Sequence, residues 1–325
     1  MQNRKSYAVF AQGDFHLTDQ LVLTVGARYT EDKARYDDAY AYLFVGGVGV
    51  ADIPIATTVP CATVAGTCAY NPALRFALKD KGSALTGRVA LSYTLPGDTL
   101  IYASFNRGYR AGAVNGGGYT SSGGISFIDP ERVNAYELGL KGRYLDRRLT
   151  LAASLFYYDY TNQQLQDTRP GPVSFLVNTP KSEVYGAEVE TTFKAADSFA
   201  FNLSFGLLKS KSKQLNLQGT SLSGNSLPFA PKFTAQAGFD WDIVALGGGK
   251  ITFSPNMVYS SRQFFSPFNQ INVVGSPQVN SELQQGANAK VNATLGWSNG
   301  NYGVRLFANN LFNRKTYAYG LDLRG

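Results

Sequence analysis

Within residues 130–160, PERVNAYELGLKGRYLDRRLTLAASLFYYDY, side-chain character changes at every second position. Asn134, Tyr136, Leu138, Leu140, Gly142 and Tyr144 share one parity; Val133, Ala135, Glu137, Gly139, Lys141 and Arg143 share the other. After Leu145-Asp146-Arg147-Arg148 the pattern returns, with Leu149, Leu151, Ala153, Leu155 and Tyr157 against Thr150, Ala152 and Ser154. A helix repeats every 3.6 residues and is excluded, because a period of two belongs to a strand. The stretch therefore reads as a hairpin of two strands of about ten residues each, with one uncharged face and one face carrying Glu137, Lys141 and Arg143.

The hairpin recurs along the chain. Residues 6–17 pair with 21–30 through Thr18-Asp19-Gln20, and 85–95 with 99–110 through Pro96-Gly97-Asp98. Residues 184–194 pair with 199–208, 233–242 with 250–259, and 289–297 with 302–309 through Ser298-Asn299-Gly300-Asn301. Six hairpins give twelve strands. Between them, residues 31–83, 111–131, 161–183, 209–232 and 260–288 are polar or glycine-rich and read as long loops. Short turns at one end and long loops at the other are the arrangement of an outer-membrane barrel.

Two further regularities agree. Phe15, Tyr93, Tyr102, Tyr144, Phe193, Phe199, Phe239, Trp241, Trp297 and Tyr302 cluster beside the short turns and are expected on the uncharged face as an interface girdle. Strand propensity accounts for the 20 tyrosines and 21 phenylalanines but not for that position. Arg28, Arg88, Glu137, Lys141, Arg143, Glu188, Glu190, Lys290 and Arg305 all fall on the charged parity. A cation facing lipid at the midplane costs about 2–4 kcal/mol, so this segregation fits a bilayer. Asp159 departs from it near a loop end, and Pro255 removes a ladder donor within residues 250–259.

No run of about 18 apolar residues is present, so no transmembrane helix is expected. A mean hydropathy of −0.16 remains compatible with a barrel, whose strands alternate lipid-facing and lumen-facing residues. Met1-Gln2-Asn3-Arg4-Lys5 leads into a strand without an apolar leader, so the start of a secreted barrel is expected to lie outside this sequence. The net charge of +7 comes from basic residues scattered singly, and nucleic acid is not an expected partner.

Several segments then resemble one family: Tyr102 to Gly112 (YASFNRGYRAG), Pro130-Glu131-Arg132-Val133, Tyr136 to Lys141 (YELGLK), Tyr185 to Glu190 (YGAEVE), Leu227 to Lys232 (LPFAPK) and Phe307 to Asn313 (FANNLFN). In this order they resemble the barrel of TonB-dependent outer-membrane receptors. The resemblance implies an all-β, antiparallel transmembrane barrel of about 22 strands, with short periplasmic turns and long extracellular loops. The twelve strands here would be the tenth through twenty-first. Residues 1–325 would then be one barrel domain, with the plug, early strands and last strand outside it. Implied partners are outer-membrane lipid, the TonB complex (reached through an N-terminal plug and TonB box) and a small anionic nutrient such as a ferric chelate. Uptake of a ferric siderophore or other iron complex in the bacterial outer membrane is the expected function; a passive porin or structural barrel is the alternative.

Catalytic groups are sparse, and neither an enzyme nor a resident cofactor or metal is expected. The single histidine, His16, has no second imidazole to form a metal site or relay. Glu188 and Glu190 share a strand face and read either as an acid/base pair or as lumen carboxylates satisfied by arginines or a plug. Cys61 and Cys68, in CATVAGTC, suggest a disulfide; a metal pair and two free thiols are the other readings. Arg107, Tyr109, Arg110 and Tyr119 border a glycine-rich loop, where arginines beside aromatics suit an anionic, partly aromatic ligand. The competing reading leaves Arg107 and Arg110 to solvate a strand end.

Overall fold

A computed structural model describes residues 2–39, 42–45, 48–52, 63–64, 67–68, 76–118, 124–169, 173–244, 249–273 and 279–320. Its main sheet has twelve strands: β1 (Gln2–His16), β2 (Leu21–Ala39), β3 (Phe76–Leu95), β4 (Thr99–Arg110), β5 (Glu131–Tyr144), β6 (Leu149–Arg169), β7 (Val173–Ala196), β8 (Phe199–Gln214), β9 (Phe233–Val244), β10 (Lys250–Ser260), β11 (Asn288–Ser298) and β12 (Gly303–Ala308). Each strand pairs antiparallel with its neighbours in sequence, so the sheet is a meander. Among the described residues β1 and β12 are paired on one side only, and the wall is open at both edges.

Local chemistry sets the short turns. Thr18 Oγ1 accepts from the backbone N–H of Gln20 and Leu21 at 3.2 and 3.0 Å. Asn299 Oδ1 accepts from Asn301 and Tyr302 at 3.2 and 2.9 Å, with Gly300 at φ +88°. Gly97, at φ +87°, sits where a side chain would be strained.

Across the sheet the alternation becomes two faces. Leu138 (52% exposed) and Leu155 (58%) pair directly and point outward, while Glu137, Lys141, Glu188 and Glu190 point inward. Aromatic rows bound the outward band. Near the short turns Phe199 packs against Phe239 and Trp241, with ring centres 5.4 and 6.5 Å apart. Near the loop side Phe105, Tyr136, Tyr157 and Tyr185 run along neighbouring strands at 5.1, 6.3 and 6.3 Å. This second girdle faces the first across roughly the 25 Å apolar band of such barrels.

Three expectations need correction. Tyr102 is not in the girdle: it pairs with Gly139, on the inward parity, and its hydroxyl donates to Glu137 Oε1 at 2.5 Å. Both parities of β4 end in an arginine, so charge alone did not separate its faces. Residues 161–183 are not mainly a loop, since β6 and β7 continue as a ladder up to Arg169 opposite Val173. Strands β2, β3 and β8 likewise outrun their expected ends. Above the membrane both faces are wet, and alternation no longer marks a strand. Pro255, finally, does not break β10. Its pairing with β11 continues through Ala293, while pairing with β9 skips Phe239 and Asp240.

A conventional hydrophobic core lies outside the wall. Leu215, Leu217, Leu222 and Phe268 are buried together, with Leu165, Val177 and Val273 against them. Asn225 Nδ2 donates to the carbonyls of Pro267 and Phe268 at 3.0 and 3.1 Å, and Asn269 Nδ2 to that of Ser226 at 2.9 Å. The segments after β8 and β10 thus form one cap on the protruding ribbon of β6 and β7.

Candidate functional site: the inner wall and its outer rim

The inner wall is built by register. Lys141 on β5 pairs with Ala152, which pairs with Glu190; Gly139 pairs with Ser154, which pairs with Glu188. Lys141, Ala152, Ser154, Glu188 and Glu190, with Tyr102 and Glu137, line a recess of about 220 Å³. Gly139 makes room for the Tyr102 ring, because a Cβ there would lie 2.3 Å from Cζ. Lys141 Nζ lies 5.6 Å from the centre of that ring. Glu188 and Glu190 therefore stand beside a tyrosine and a lysine.

Further round, Thr192 donates to Asn202, Asn202 to Asp240, and Ser254 to Asp240, at 2.9, 2.9 and 2.6 Å. Such a wall hydrogen-bonds water or a polar partner along its length. His16 sits at the end of β1 opposite Val22, exposed.

At the outer rim the three described members of the expected ligand set, Arg107, Tyr109 and Arg110, separate. Arg110 is on the inward parity, with its side chain 63% exposed and Nη1 4.0 Å from Glu131 Oε2. That carboxylate also accepts the Gln164 backbone N–H at 2.9 Å. Gln164 Nε2 in turn donates to the carbonyls of Ala111 and Asp129, at 3.0 and 3.1 Å. Asn178 Nδ2 donates to Asp129 and Asn162, at 3.0 and 2.8 Å. The loop after β4 is thus clamped at both ends by the β6–β7 ribbon, and Arg4 Nη2 reaches Gly112 O at 3.4 Å. Gln164 and Asn178 were invisible to the sequence reading because they lie where alternation has stopped. Arg107 falls on the outward parity with Phe105, exposed. Tyr109 has its hydroxyl buried against Gly82. Tyr119 lies outside the described residues, as does Cys61, and with it the pairing of Cys61 and Cys68.

An outward apolar band between two aromatic girdles and an inward polar wall define a membrane-spanning barrel segment. A family model described as TonB dependent receptor-like, beta-barrel, matches residues 1–311, and the chain belongs to that family. It is 23% identical over 329 residues to the pesticin receptor of Yersinia pestis, covering 97% of this chain and 40% of that protein. It is 24% identical over 253 residues to the catecholate siderophore receptor Fiu of Escherichia coli K12, covering 75% and 31%. The ferric yersiniabactin uptake receptor FyuA from Yersinia pestis shares the fold with a TM-score of 0.72 at 19% identity, over 99% of this chain and 42% of that one. The copper transporter OprC does so with a TM-score of 0.68 at 15% identity, over 97% and 44%. The chain spans about 40% of the length of the pesticin receptor. Its place is the bacterial outer membrane.

Proposed function

We propose that residues 1–325 are part of one barrel domain of an outer-membrane receptor for a small anionic nutrient of the iron-chelate class. The receptor binds its cargo at the outer rim and passes it inward with energy from the TonB complex. The observation that carries this reading is the family match over residues 1–311. Siderophore receptors among the relatives support the cargo class. Arg110 is the rim residue whose position best supports ligand contact, since it faces inward and most of its side chain is exposed. Tyr109, Tyr119 and Arg107 stay in the proposal as secondary to Arg110, since the Tyr109 hydroxyl is buried and Arg107 is on the outward parity.

The test uses the whole receptor in iron-limited cells, with surface copies counted in parallel. Arg110→Ala should weaken binding of a ferric chelate by about ten- to a hundredfold, the scale of one lost charge-assisted contact. Arg107→Ala should do so by less than about threefold. Removing the TonB complex should stop uptake. Uptake that persists at the same rate without it marks a passive pore and ends this reading.

A further inference from the structure

On β1, β2 and β3 the outward apolar band ends at Tyr7, Val9, Tyr29 and Leu85, all exposed. Just above Tyr7 on the same parity, Lys5 pairs with Lys33 and Lys33 pairs with Lys81. On the next rung of that face Arg35 lies between Asn3 and Lys79. Lys33 fixes the side, because its Nζ stands 6.0 Å from the centre of the Tyr7 ring. All five cations are exposed. With Asn3, Ala34 and Asp80 they line a groove of about 490 Å³.

The charge is unbalanced. Among the described residues Glu31 bonds Lys33 at 2.8 Å and lies 3.6 Å from Lys81, and Asp80 also lines the groove, two carboxylates beside Lys5, Lys33, Arg35, Lys79 and Lys81. Like charges directly opposite across a ladder destabilise it. Here lysine faces lysine twice, so an external anion would relieve the repulsion. Height points to which anion. Lys33 is twelve residues above Leu21 at the short turn. At about 3.3 Å per residue and a tilt of about 40°, that is about 30 Å up, just beyond the apolar band.

We propose that Lys5, Lys33 and Lys81, with Arg35 and Lys79 above them, bind the phosphate groups of an anionic lipid headgroup in the outer leaflet. The exposed Tyr7, Val9, Tyr29 and Leu85 take its acyl chains. Lysine ammonium groups suit this duty as mobile point charges on phosphate oxygens. The lysines scattered singly in sequence are gathered by register into one row. Their role is independent of what the receptor imports.

For the test, the receptor is purified whole from outer membranes in mild detergent, and bound phosphoglycolipid is counted by native mass spectrometry. Lys5→Gln, Lys33→Gln and Lys81→Gln together should lower occupancy at least about tenfold. The corresponding triple arginine variant should keep it. Arg147→Gln with Arg148→Gln, at the short-turn rim, should leave it unchanged. Equal occupancy in the glutamine variant and the parent overturns the proposal. Independently of variant assembly, the parent receptor is placed in phosphatidylcholine nanodiscs carrying bis-phosphorylated or dephosphorylated glycolipid. Its Tm should rise with the phosphorylated form alone, and less so as salt is added. An equal rise from millimolar inorganic phosphate in detergent would make this a site for a soluble anion and overturn the lipid assignment.

Discussion

The wall and the cap use the same apolar residues in opposite ways. Leu138 and Leu155 in the wall are 52% and 58% exposed, whereas Leu222 and Phe268 in the cap are 0% and 1% exposed. The wall is covered by lipid and needs no partner side chains; the cap stands in water and must bury its own. Exposure of a leucine in this chain therefore carries meaning only with its height above the short turns.

The contrast breaks most visibly at Phe268. Phe268→Ala should cost the cap about 3–5 kcal/mol. Limited proteolysis should then cut within residues 261–273 while the wall stays resistant; simultaneous loss of both would show that they fold as one unit. In the wall, Leu138→Lys should cost about 2–4 kcal/mol, whereas Ser154→Lys, on the inward parity beside Glu188, should stay within about 0.5 kcal/mol. Urea midpoints of the whole receptor refolded into bilayers measure the difference, and equal costs would reverse the assignment of faces. Gly139→Ala puts a methyl 2.3 Å from Tyr102 Cζ and should displace the ring from Glu137, at about 1–3 kcal/mol. The penalty should vanish in a Tyr102→Ala background, which a double-mutant cycle reads directly.

The smallest effect belongs to Lys213 on β8 and Glu183 on the ribbon, 2.6 Å apart above the membrane. The hydrogen bond from Lys213 holds the Glu183 carboxyl below its usual pKa, and Glu183 raises that of Lys213. A lowered carboxylate pKa means stability present above the unfolded value and lost as pH falls through the folded one. Lys213→Met should therefore speed amide exchange in the ribbon by no more than a few-fold near neutral pH. The difference should fade below the ordinary glutamate range. A difference that grew in acid would contradict the pairing.

How much was legible follows the same division. Where lipid and lumen select opposite parities, as in Tyr136 to Tyr144 and Leu149 to Tyr157, the strands and turns were readable to within a few residues. The alternation failed at residues 161–178, where Thr161, Asn162, Gln163 and Gln164 are polar in succession above the lipid and give no two-residue period. The clamp made by Gln164 and Asn178 was lost with it. Tyr102 was misplaced because the residues of β4 leave the parity ambiguous. Leu222 and Phe268 sit in segments with no period at all, so their burial together depends on tertiary contacts that pattern does not encode. The row of Lys5, Lys33 and Lys81 needed the register of three strands.

The interrupted pairing at Pro255 gives the wall a grain. Between the girdles the other joins are laddered without a gap, while β9 and β10 lack pairs at Ser254 and Pro255. Backbone groups missing a partner in a dry medium weaken the seam that contains them. Under tension, whether from a pulling force or from a detergent prising the sheet open, parting begins along this line. The three strands from β10 to β12 then come away as one strip, and the nine before them as another.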